Sequence, residues 1–61
     1  MREKIEKLIN SDESAYSIGL ATGLDPTQIN RLRREERKIE NLSLKVAEIL
    51  YEYQLKKERG L

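Results

Sequence analysis

The chain has 61 residues, of which 38% are apolar and 38% charged, and a formal net charge of +1. That length fits a single domain, 1–61, and a domain of this size buries only about 60% of its unfolded surface and is marginal by itself. There is no cysteine and no histidine, so disulfides are excluded, the commonest metal ligands are missing, and stability has to come from helix packing or oligomerisation.

Met1, Ile5, Leu8 and Ile9 recur at helical spacing, with charges between them, and predict a first helix. Asn10-Ser11-Asp12 ends it. Ser14 suits the N-cap of a second helix, where its hydroxyl accepts from an orphan amide two or three residues on. Ile18 and Ala21 are expected to face inward, with Gly19 beside them. A glycine inside a helix costs about 1 kcal/mol against alanine, so Gly19 predicts close approach of another helix. Gly23 suits the left-handed residue that closes a helix, and Leu24 then folds back onto the core.

Asp25 and Pro26 open a third helix. Asp25 is a strong N-cap whose charge suits the positive end of the helix dipole. Pro26 at the first helical position gives up an amide without a partner, and Gln28 completes a capping box. Ile29 and Leu32 lie within about 60° of each other on a helical wheel. Thr27, Arg31 and Arg34 lie nearly opposite, with Asn30 and Gln28 at the edges of that outer face.

Residues 35–41 read as a polar loop with one apolar candidate, Ile39. Asn41 is the expected cap of a last helix running to about Glu58. Leu42, Val46, Ile49, Leu50 and Tyr53 form one apolar stripe on it, the expected core face. Leu44, Tyr51 and Leu55 form a second stripe, with Ala47 between the two. Two stripes call for two partners: the domain itself and either a second copy or the first helix. Tyr16 and Tyr53 read as partly buried packing residues. The predicted core is Ile18, Ile29, Leu32, Val46 and Leu50. Strands, internal repeats, low-complexity linkers, membrane-length apolar runs and a signal peptide are not visible, and the expected location is the cytoplasm.

Charge is unevenly distributed. Residues 1–25 hold three basic and five acidic side chains, and residues 31–38 hold five basic and two acidic. Taken alone, the run from Arg31 to Lys38 reads as a solvated face neutralised by Glu35 and Glu36. Its place at the end of a compact helix pair reverses that preference. A short helix with an apolar inside and a polar, cationic outside fits a DNA major groove. Arginine reads guanine through a fork of two hydrogen bonds, and glutamine or asparagine reads adenine in the same way. Catalysis has no comparable support. Glu35 and Glu36 are adjacent and diverge on a helix, and no glycine-rich phosphate loop or metal cluster is present.

At these residues the chain resembles the Cro/lambda-repressor-like (XRE) helix-turn-helix family. The similarity runs from Ser14 to about Tyr51. It rests on the small-residue helix ending in Thr22-Gly23, then Leu24, the cap, and Ile29, Arg31 and Leu32. Lys38-Ile39-Glu40-Asn41-Leu42-Ser43-Leu44 followed by Ala47-Glu48-Ile49-Leu50 looks like the family's loop and fourth helix. The chain departs from the family at Gly19, where alanine is common, and at Ala15, where glutamine is common. It also carries Glu35 where glycine usually follows the recognition helix, so the sequence does not mark where that helix ends.

The resemblance implies an all-α, compact four-helix domain with a helix-turn-helix and a long C-terminal helix. It implies a homodimeric repressor that occupies a palindromic operator on double-stranded DNA. Thr27, Gln28, Asn30 and Arg31 are the expected base contacts, Arg31 foremost. Ser14, Tyr16, Ser17, Arg34, Arg37 and Lys38 are the expected phosphate contacts. Leu44, Tyr51 and Leu55 are the expected dimer interface. No cofactor, metal, membrane or small-molecule ligand is expected, and no enzymatic activity. The other reading is a protein-interaction module, antitoxin-like or antirepressor-like, whose main partner is another protein bound by the second stripe.

Overall fold

The computed structural model describes residues 1–60. Its elements are α1 (Arg2–Ile9), α2 (Ala15–Thr22), α3 (Pro26–Arg33), a 3-10 turn (Ile39–Asn41) and α4 (Leu44–Glu58). This is a small all-α four-helix domain with a long last helix. α1 packs chiefly on α4 and α2 chiefly on α3. α4 also touches α2, and α1 also touches α3 and the 3-10 turn. The buried apolar residues are Ile5, Leu8, Ile9, Ala15, Ile18, Ile29, Leu32 and Leu50. Every helix contributes, so no helix pair has a core of its own. Truncating one of the fully buried side chains is worth roughly 2–5 kcal/mol, a large part of a small domain's stability.

The predicted punctuation is present at most helix ends. Ser14 accepts from the Ser17 amide at 3.0 Å. Gly23 has φ 78° and its amide bonds the Gly19 carbonyl at 2.8 Å. Thr22 ties the turn together, because its hydroxyl donates to the Ile18 carbonyl and accepts from the Leu24 amide. At Gly19 a Cβ would stand 2.8 Å from the Leu24 carbonyl oxygen and 2.9 Å from Pro26 Cγ. The close approach is therefore to the turn and the first residue of α3, and a methyl group there would push them away from α2.

Several expectations are corrected. Ala21 is exposed, because the face of α2 that meets the core runs along Ala15, Ile18 and Gly19. Met1 is also exposed. Asp25 caps α3 through the Thr27 amide at 2.9 Å. The Gln28 amide bonds the Asp25 carbonyl instead, so the reciprocal capping box is not formed. Asn41 does not cap α4. Its amide closes the 3-10 turn on the Lys38 carbonyl, and Ser43 is the cap, accepting from the Val46 amide at 3.3 Å. On α4 only Leu50 and Gln54 are fully buried, while Val46 and Tyr53 are half-buried against the core. Tyr51, placed by the sequence on a separate stripe, packs on that core too. One broad face of α4 thus covers both α1 and α2, and the two stripes merge at Tyr51.

α3 ends where the sequence carried no stop signal. Arg34 is its C-cap, and Glu35 follows with φ 60°, the one non-glycine residue of left-handed backbone among the described residues. The Glu36 amide reaches the Arg31 carbonyl at 2.9 Å and the Glu35 amide reaches Leu32 at 3.2 Å. These two bonds make a Schellman closure with glutamate at the position that favours glycine.

Candidate nucleic-acid interface

The helix pair α2–α3 is joined by the three residues Gly23, Leu24 and Asp25. Buried Ile29 and Leu32 fix which side of α3 faces out. Thr27, Asn30, Arg31 and Arg34 are exposed, and Gln28 is half-buried. Among the described residues, the side chains of Gln28, Asn30 and Arg31 make no hydrogen bond or ion pair. Their donors and acceptors remain available. Thr27 is partly engaged at the cap. Its amide first, then its hydroxyl, hold the Asp25 carboxyl below the ordinary value, and Arg31 adds a smaller effect of the same sign.

The basic run after the helix does not act as one patch. Arg31, Arg37 and Lys38 border a common open cleft with Glu35, Glu36 and Asn41. Arg37 also donates to the Asn41 carbonyl at 3.1 Å. Arg34 Nε lies 3.2 Å from Glu36, with both side chains more than half exposed. A pair so exposed is worth at most about 1 kcal/mol and is readily exchanged for another anion.

The candidate phosphate contacts on α2 differ in availability. Tyr16 is 67% exposed and does not pack, contrary to the sequence reading. Ser14 is engaged as a cap but exposed. Ser17 is not free: its hydroxyl donates to Glu13 at 2.6 Å. Leu20, on the same side of α2 as Tyr16, is 69% exposed. Of the candidate dimer residues, Leu44 is 70% exposed, whereas Tyr51 and Leu55 are half-buried.

Two residues missed by the sequence reading organise this region. Arg33 was counted with the cationic run, yet its guanidinium turns inward. Nε donates to the Ile9 carbonyl at 2.8 Å, and Nη2 donates to the Glu13 carbonyl and, at 3.4 Å, to Ser11. Glu13, whose side chain is only 18% exposed, accepts from Ser17 and Tyr53 and pairs with Lys57 at 3.0 Å. Burial favours its neutral form, but the Ser17, Tyr53 and Lys57 contacts together outweigh that and bring its pKa down to about 2. The hydrogen bond to Glu13, aided by burial, raises the Tyr53 hydroxyl to about 12. A signal for Arg33 was present in the sequence, because it stands four residues after Ile29 and so on the inner flank of α3. Glu13 carried none.

No protein-family model matches the sequence, and no curated protein matches it. No helix among the described residues is long and apolar enough to cross a membrane.

Proposed function

We propose that this protein is a sequence-specific double-stranded DNA-binding transcriptional regulator. It acts in the cytoplasm as a homodimeric repressor of a palindromic operator. The observation that carries the reading is the outer face of α3. Among the described residues, the exposed side chains of Asn30 and Arg31 have no partner, and their helix is oriented from behind by buried Ile29 and Leu32. Arg34, Arg37 and Lys38 follow at its end, where phosphates would flank a helix leaving the groove. The resemblance to the Cro/lambda-repressor-like (XRE) family supports the same docking.

A single two-turn helix reaches few base pairs, and two copies reading half-sites about 34 Å apart on one DNA face supply the rest. The protomer is 30 Å in its longest dimension, a suitable scale for that spacing. Leu44, exposed at the start of α4, together with the parts of half-buried Tyr51 and Leu55 that the core leaves open, is the apolar surface proposed for the two-fold contact. Steric exclusion of RNA polymerase then gives repression.

Selection from a random duplex pool, followed by gel shift and sedimentation of the complex, tests the reading. Arg31→Ala should weaken binding to the selected site by roughly 1–3 kcal/mol and relax preference at one position. Unchanged affinity and selectivity of that variant would mean that α3 is docked wrongly. A second reading, a module whose main partner is another protein, draws on the exposed Tyr16, Leu20 and Leu44. A wild-type chain that selects no sequence from the pool would favour it.

A further inference from the structure

We propose that Arg33 is a positioning residue for sequence recognition, one that sets the pose of α3 without touching nucleic acid. This role rests on the DNA-binding reading above.

α3 is only eight residues long and is held at each end. At its start, Gly19 admits Pro26 and the turn to within van der Waals contact of α2. At its end the hold is Arg33. The guanidinium reaches the carbonyls of Ile9, Ser11 and Glu13, which lie 20 to 24 residues away in sequence. Ile9 is the last residue of α1, so its carbonyl is one of the acceptors that a helix end leaves unpaired. A cation there also suits the negative end of the α1 dipole.

The same segment is gripped from its other side. The Glu13 carboxylate receives the hydroxyls of Ser17 on α2 and Tyr53 on α4 and the ammonium of Lys57 on α4. Residues 9–13 are therefore a bridge with α3 tied to its backbone and α4 tied to the half-buried Glu13 carboxylate. A continuous polar path connects the proposed reading helix to the helix that carries the proposed two-fold contact. The pose of α3 relative to α4 determines where two copies place their reading helices on DNA. The guanidinium donates from two separated nitrogens, Nε to Ile9 and Nη2 to Ser11 and Glu13, whereas an ammonium presents its three donors from a single nitrogen and does not reproduce that spread.

The test compares wild type, Arg33→Lys and Tyr53→Phe on the duplex that wild type selects and on a scrambled duplex of equal length. Binding is measured over a range of salt concentrations, below the melting midpoint that each variant shows by circular dichroism. Arg33→Lys should bind the selected duplex about tenfold more weakly, a loss appropriate to a charge-assisted contact network. Its affinity for the scrambled duplex and its salt slope should match wild type, because no phosphate contact is lost. Tyr53→Phe should show the same pattern to a smaller degree. If Arg33→Lys does not fold, Tyr53→Phe, which removes one hydroxyl, carries the comparison. A salt slope reduced by about one unit in Arg33→Lys would make Arg33 a phosphate ligand and overturn the role. Full discrimination in both variants would overturn it while leaving the DNA reading intact. A wild type that selects no sequence overturns the DNA reading and this role with it.

Discussion

Glu35→Gly should make the protein more stable, although it removes every side-chain atom at that position. Glu35 holds φ at 60°, where the Cβ of an L-residue crowds the following carbonyl at a cost of about 1–2 kcal/mol. Its side chain is exposed and makes no hydrogen bond or ion pair among the described residues, so no contact offsets that strain. Glycine removes the strain but frees the unfolded chain, which costs about 0.5–1 kcal/mol. The net gain should be about 0.5–1 kcal/mol, or several degrees in the melting midpoint of a domain this small. Glu35→Ala is the control. It deletes the same charge beside Glu36 and keeps the Cβ, so the glycine–alanine difference isolates the backbone effect. Thermal and urea melts followed by helical circular dichroism measure both. If the two variants melt together, Glu35 is not in the left-handed region, and α3 does not end in the closure that Glu35 and Glu36 form.

Other perturbations test the polar contacts. Glu13 titrates at about 2 when folded and near 4.5 when free. A depressed carboxyl contributes stability above its unfolded pKa and loses it as pH falls through the folded one. Melting temperature should therefore decline from about pH 5 towards pH 2, and Glu13→Gln should be less stable at neutral pH with a shallower acid limb. Glu58, brought to about 2 chiefly by the Lys4 hydrogen bond, should add to the same decline, and Glu58→Gln separates the two. Gln54 is 7% exposed, and its Oε1 is buried with no hydrogen-bond partner among the described residues. A buried acceptor left unsatisfied costs about 1–3 kcal/mol. Gln54→Met, close in volume, should raise the urea midpoint despite losing the 3.0 Å bond to Glu58. A lower midpoint would show that Oε1 is solvated or bonded in solution.

What the sequence determined lies within four or five residues of the residue that signals it. The Ser14 and Asp25 caps, the left-handed Gly23, Pro26 at the first helical position and the spacing of Ile29 with Leu32 are all local events. Each depends on the groups that one helical turn brings together. They sufficed for four helices, for the start of α3 and for which of its side chains face out. Asn41 read as the cap of the last helix, but the 3-10 turn takes up Asn41 and leaves the cap to Ser43. Contacts across the fold were beyond reach. Arg33 read as one more cation of a basic run until Ile9 and Glu13 came within its grasp. Glu13 carried no local signal of its role, because the Tyr53 hydroxyl it accepts comes from 40 residues on. Tyr51 read as part of a second stripe open to a second copy or to the first helix, and it packs on the core because α4 lies across both α1 and α2. A charged side chain on the flank of a helix has the same local periodicity whether it meets water, phosphate or three carbonyls, and only the packing of the other helices decides which.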